Sequence, residues 1–143
     1  MSEREEERAR YVLIDVRRPL RENLEEDIEW FARCFGFLET RDVAKTAAGI
    51  FAALLYAAAE DGGLTSDELS EKIGVTRGAI VHHLNKMMGS GLVIFHGGRY
   101  KLRERSLRRT VEEIGRDVSR VLENIVEIAS DIDEKLNLPY RGA

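Results

Sequence analysis

The chain has 143 residues, 43% hydrophobic and 34% charged, with a formal net charge of -4. That length suits one domain with terminal extensions and a real core, and is short for two independent domains. The single cysteine, Cys34, excludes an intramolecular disulfide. No secretory leader is visible behind the charged start from Ser2 to Arg8, and the apolar run from Ala47 to Ala59 falls short of the roughly 18 residues that span a bilayer. A cytoplasmic protein without membrane association is expected. The absence of Gln and the abundance of Arg and Glu match thermophile surfaces organised in ion-pair networks.

Residues 1–39 form an arm and a first helix. Tyr11 to Val16 is apolar and β-branched between charged flanks, and fits a strand, an arm gripping another subunit or a helix start equally. Pro19 is placed in the first turn of a helix whose apolar face is Leu20, Leu24, Ile28, Phe31, Phe35 and Leu38, with Trp30, Cys34 and Phe37 nearby. A second helix is expected over roughly residues 41–60, with Val43, Ala47, Ile50, Phe51, Leu54, Leu55 and Ala58 facing the core. Asp61-Gly62-Gly63 ends it.

Thr65-Ser66-Asp67-Glu68 is a capping box: the Thr65 hydroxyl can accept from the Glu68 amide while the Glu68 carboxylate accepts from the Thr65 amide. Leu69 and Ile73 give the helix that follows an apolar stripe, and Gly74 suits a left-handed C-terminus. Thr76 then caps a second helix, to about Gly89, with Ile80, Leu84, Met87 and Met88 on one face. At 100° per residue its opposite face carries Gly78, Ala79, His82 and Lys86, with Arg77 in the first turn and His83 and Asn85 on the flanks. After Gly89-Ser90-Gly91, the run Leu92 to His96 has strand composition and Gly97-Gly98 is a hairpin turn signal. Period two on the return strand puts Tyr100 and Leu102 inward and Arg99, Lys101 and Arg103 outward in one stripe.

The order of parts is a winged helix-turn-helix over residues 40–105, so the fold class is mainly α with a small β-wing. Charge divides accordingly. Residues 62–110 carry 9 Lys or Arg against 4 Asp or Glu, while residues 1–61 carry 9 against 14 and residues 111–143 carry 4 against 8. A basic centre between acidic arms fits a polyanion partner whose nonspecific binding the arms would restrain.

Residues 106–143 hold a heptad pattern. From a Ser106 cap, Leu107, Val111, Ile114, Val118, Val121, Ile125, Ile128 and Ile132 recur with strict four-three spacing, and Leu122, Ala129 and Leu136 widen the stripe. A long dimerisation helix is expected, with folding back onto its own domain as the alternative.

The run from Thr76 to Leu84, with Gly91-Leu92-Val93 and Gly97-Gly98-Arg99-Tyr100, resembles the recognition helix and wing of prokaryotic ArsR/MarR-type winged-helix transcriptional regulators. Gly49 to Tyr56 and Leu64 to Leu69 resemble the helix leading into that motif in the GbsR-like branch. The resemblance covers residues 40–105 and leaves both flanks unmatched. It implies a homodimer paired through terminal helices, recognition helices about 34 Å apart on a near-palindromic double-stranded DNA operator, and a non-enzymatic role. Metal-sensing members carry a Cys pair on the helix before the recognition helix; Glu68-Leu69-Ser70-Glu71-Lys72 contains none, so metal sensing is not inherited.

The expected DNA contacts are Thr76, Arg77, Gly78, Ala79, His82, His83, Lys86, Arg99, Lys101 and Arg103. Arg99 is placed at the wing tip, where it can enter a minor groove. Each cation also fits an ordinary solvated face, and Arg105, Arg108 and Arg109 fit pairing with acids on the long helix. His82 is assigned to the groove, His83 to bracing the motif or touching a phosphate, and His96 to the surface. Adjacent His82 and His83 diverge by about 100° and make a poor metal pair. Cys34 is read as a core thiol rather than a redox sensor. No cofactor is called for, and no phosphate loop, metal cluster or nucleophile-base arrangement is visible. A small-molecule effector would sit in a hydrophobic crevice between the arms and the winged domain, lined by Trp30, Phe31 and Phe35, unless those aromatics simply fill a core. The alternative function is a protein-docking winged helix without direct DNA binding.

Overall fold

The computed structural model describes residues 7–20, 23–37, 41–60 and 62–139, with the side chains of 41–44 left aside. Leu38 and Val43, expected on apolar faces, lie outside what is described. The elements in chain order are α1 (Leu24–Cys34), α2 (Arg41–Ala59), α3 (Ser66–Ile73), α4 (Arg77–Gly89), β1 (Val93–His96), β2 (Arg99–Leu102) and α5 (Leu107–Leu136).

Helix α1 begins four residues later than the apolar periodicity implied. Asn23 is extended and its side chain accepts from the Glu25 and Glu26 amides, so the cap, not Pro19, sets the start. Leu20 is left outside the helix and 99% exposed. The described residues before it form neither strand nor helix. Tyr11 to Val16 is an extended arm lying along its own subunit: the Arg10 amide donates to the Gly89 carbonyl at 2.9 Å, the Ile14 amide to the Cys34 carbonyl at 2.8 Å, and the Trp30 indole N–H to the Val16 carbonyl at 3.1 Å.

The core is built on α2. Ala47, Ile50, Phe51 and Leu54 are buried at helical spacing, and Phe31 of α1 stacks on Phe51 with centroids 5.2 Å apart and planes within 4°. The same core takes in Leu69, Ile80, Leu84, Met87, Leu92, Val93, Leu102 and Ile114. Cys34 packs against it half-buried, and burial pushes its thiol pKa up, which disfavours the reactive thiolate.

Strands β1 and β2 pair antiparallel from Val93 opposite Leu102 to His96 opposite Arg99, and Gly97 and Gly98 both take positive φ, 60° and 79°, as a two-residue turn requires. Leu64 adds a bridge the sequence did not announce, exchanging two backbone hydrogen bonds with Tyr100 at 2.9 and 2.8 Å. Gly63 permits that approach, because a Cβ there would sit 2.6 Å from the Tyr100 carbonyl oxygen.

Helix α5 has 30 residues, about 45 Å at 1.5 Å per residue. Only its first turns fold back: Thr110, Ile114 and Asp117 are buried, and Leu107 and Val118 pack against the core. Beyond Val118 the same stripe is bare, with Val121, Leu122, Ile125, Val126, Ile128, Ile132 and Leu136 all exposed in the isolated subunit. The expected dimerisation set therefore splits. Leu107, Ile114 and Val118 are spent on their own domain because the winged domain reaches only that far along the helix, while Val121, Ile125, Ile128 and Ile132 stay outside it. Val111 and Val121, each 37% exposed, stand at the margins of the covered part.

Candidate nucleic-acid interface

Local chemistry positions α3 and α4 tightly. The Thr65 hydroxyl accepts from the Glu68 amide at 3.0 Å and Glu68 Oε1 accepts from the Thr65 amide at 3.2 Å, completing the capping box. Gly74 closes α3 in the left-handed conformation, φ 82°, with its amide donating to the Ser70 carbonyl at 2.9 Å. Within three residues Thr76 starts α4, its hydroxyl accepting from the Ala79 amide at 3.2 Å.

The inward face of α4 is Ile80, His83, Leu84 and Met87, an i, i+3, i+4, i+7 set. His83 is thus 7% exposed, and is withdrawn from the expected DNA contacts because that spacing turns it to the core side; its bracing role is the one that fits. The outward face carries Thr76, Arg77, Gly78, His82, Asn85 and Lys86, all exposed, with Ala79 half-buried. No acid lies on α4. Arg77 is steadied from α3, its Nε donating to Ser66 Oγ at 3.2 Å and standing 3.7 Å from Asp67. The rings of His82 and His83 meet edge-on, centroids 5.7 Å apart, and among the described residues no three His, Cys, Asp or Glu side chains gather as a metal site.

The wing departs from the expected stripe of three outward cations. Arg99 Nη1 donates to Glu68 Oε1 and to the Gly63 carbonyl, both at 3.0 Å. The Leu64–Tyr100 bridge causes this by holding the start of α3 beside β2. Glu68 is kept below the usual carboxylate pKa, first by the Thr65 amide and also by Arg99. Arg99 is therefore anchored across its own subunit rather than projecting from the wing tip, although its side chain stays 52% exposed. Arg103 is withdrawn more completely. It follows the end of β2, where period two no longer holds, and its Nη1 donates to Asp117 Oδ2 at 2.6 Å with side chains only 24% and 13% exposed. Lys101 stays half-buried on the wing surface. Arg105, Arg108 and Arg109 are exposed, and Arg108 stands 3.7 Å from Glu112, the pairing expected of it.

Asp117 is a junction. Besides Arg103 it accepts from the Tyr11 hydroxyl at 3.1 Å and from Arg120 at 3.3 Å, so the wing's end, the N-terminal arm and α5 meet at one carboxylate. The Arg103 hydrogen bond is the largest cause holding Asp117 below its usual pKa; burial, aided by the bond to Asp117, raises Tyr11.

Two clefts flank this unit. A crevice of about 730 Å³ opens between the arm, α1, α2 and the start of α5, with Ile28, Trp30, Phe31, Leu55, Tyr56 and Leu107 among its walls. Phe35, expected there, is instead buried in a stack with Phe31 and Phe37. The second cleft, about 570 Å³, separates the arm from the outward face of α4. In sequence the arm carries one signal for this placement, two arginines, Arg8 and Arg10, spaced to share one side of an extended chain.

A helix-turn-helix domain family matches residues 44–94, the stretch from α2 through α3 and α4 into β1. No curated protein and no solved structure gives a significant match. With the hairpin after α4 and the long helix beyond it, the fold is a winged helix-turn-helix. Among the described residues no helix is long and apolar enough to cross a membrane.

Proposed function

We propose that this chain is a homodimeric, sequence-specific DNA-binding transcriptional regulator of the ArsR/MarR type, non-enzymatic, with α4 in the major groove and the wing on the adjacent backbone. The observation that carries the proposal is the outward face of α4: small at Gly78 and Ala79, polar at Thr76, His82 and Asn85, cationic at Arg77 and Lys86, and free of acid. Small residues let the helix backbone approach base edges, and the longer side chains reach bases and phosphates. From the wing, Lys101 and the exposed part of Arg99 add phosphate contacts; Arg103 and His83 serve the fold.

Dimerisation falls to the bare half of α5. Seven large apolar side chains stand exposed between Val121 and Leu136, and a self-complementary two-fold pairing removes them from water. Two recognition helices then face a near-palindromic operator. The 730 Å³ crevice is the proposed effector site, with Trp30 and Phe31 as its aromatic walls.

Mobility shifts with genomic duplex fragments at two salt concentrations test the proposal. A complex at low salt that weakens steeply at high salt is the expected result. The second reading, a protein-docking winged helix, draws on the internal engagement of Arg99 and Arg103, and predicts no complex at any salt together with a copurifying partner.

A further inference from the structure

We propose that the N-terminal arm is part of the DNA-binding surface, with Arg8 and Arg10 gripping sugar-phosphate backbone beside α4. The inference rests on α4 being the recognition helix. Three contacts fix the course of the arm: the Arg10 amide on the Gly89 carbonyl at 2.9 Å, the Tyr11 hydroxyl on Asp117 at 3.1 Å and the Ile14 amide on the Cys34 carbonyl at 2.8 Å. Val12 is packed so closely that a Cβ on Gly36 would lie 2.8 Å from its Cγ1. The arm therefore runs at a set distance from the end of α4.

The cleft so formed is lined by Arg8 and Arg10 on one wall and His82, Asn85 and Lys86 on the other. Cations and hydrogen-bond donors on two walls of a solvent-open cleft suit a phosphodiester backbone, which presents a negative charge at each step. A duplex engaged by the outward face of α4 brings its backbone to the rim of this cleft, since His82 and Lys86 belong to both surfaces. One feature opposes the contact. Glu7 Oε1 accepts from Arg10 Nη2 at 2.6 Å, but both side chains are more than half exposed, so the pair is screened and a phosphate can displace the carboxylate. The acid thereby weakens nonspecific binding, and the arm extends the proposed footprint beyond the helix and wing.

The test uses the full chain and a duplex that it binds, followed by fluorescence anisotropy over a salt series. Removing one phosphate-binding cation should lower the slope of log K against log salt by about 0.9, and weaken binding about eightfold at 0.1 M salt. Arg8→Ala with Arg10→Ala should lower the slope by about 1.8 and weaken binding about sixtyfold per subunit, Glu7→Gln should tighten binding, and Arg116→Ala on exposed α5 should change nothing. Circular dichroism and thermal melts of each variant should match the wild type, because the replaced side chains are exposed. Affinity and slope of the double variant within twofold of the wild type, while Lys86→Ala weakens binding, would overturn the role of the arm and leave the recognition helix standing. A wild-type chain that binds no duplex at 0.05 M salt would overturn both.

Discussion

Replacing Asp117 by Ala tests how the winged domain is tied to the long helix. The carboxylate accepts from Arg103 at 2.6 Å, from Tyr11 at 3.1 Å and from Arg120 at 3.3 Å, and its side chain is 13% exposed. Removing it forfeits the Arg103 ion-pair bond, worth about 1.5–3 kcal/mol, and the Tyr11 hydroxyl bond, which at 3.1 Å is long for a hydroxyl on a carboxylate and is worth about 1 kcal/mol, and it strands a guanidinium. The Arg120 bond adds little, because that side chain is 64% exposed. Arg103 retains some access to water at 24% exposure, so the expected loss is about 3 kcal/mol rather than the upper end for a sealed pair. For a chain of this size that lowers the melting temperature by about 10 °C. Urea denaturation at fixed protein concentration measures it. Tyr11→Phe should cost about 1 kcal/mol in the wild type and almost nothing in the Asp117→Ala background, a coupling that only a shared bond produces. The pH dependence has a definite sign. Asp117 has its folded pKa below the ordinary 3.8, so its contribution is fully present above that value and is lost as pH falls through the folded pKa. The gap between wild type and Asp117→Asn should accordingly stay constant near neutrality and shrink in acid below pH 3.8. A loss under about 1 kcal/mol, additive effects of the two substitutions, or a gap that widens in acid would refute this reasoning.

Further expectations concern assembly, the cap and the wing. Ile125→Glu combined with Ile132→Glu should convert a dimer to a folded monomer in sedimentation velocity, with the helical signal of the winged domain retained; a dimer that survives would assign pairing to another surface. Thr65→Ala removes one partner of the capping box and should cost about 1 kcal/mol of stability in urea, with a smaller effect on DNA affinity. Lys101→Ala should weaken duplex binding about eightfold per subunit at 0.1 M salt, about sixtyfold for the dimer, whereas Arg103→Gln should mainly lower the melting temperature, because one cation faces outward and the other is tied to Asp117.

What could be read from the sequence was what local chemistry decides. The capping box at Thr65 and Glu68, the left-handed Gly74, the Thr76 cap and the Gly97-Gly98 turn each act within a few residues, and each stands where the sequence put it. The apolar rhythm runs back through Pro19 and Leu20, whereas α1 starts at the polar cap Asn23, which satisfies the first amides of the helix. Arg99 and Arg103 show the limit of periodicity. Alternation tells which side of a strand a residue leaves from, but Glu68 lies 31 residues from Arg99 and Asp117 lies 14 from Arg103, so the partners appear only when the chain is folded. The heptads of α5 are continuous in sequence and discontinuous in burial, since nothing along the helix marks where its own domain stops covering it. The arm was illegible for a related reason: Tyr11 to Val16 has no period of its own and takes its course from Gly36, Cys34 and Gly89.

The most direct measurement of the central claim is selection of bound sequences from a random pool of duplexes by the full chain, followed by sequencing. The account predicts enrichment of an inverted repeat with half-sites about 10–10.5 base pairs apart, or a multiple of that spacing, read by the outward face of α4 and abolished when Lys86 and His82 are replaced by Ala. A pool that emerges unenriched at low salt, or enrichment unchanged by those two substitutions, would contradict it.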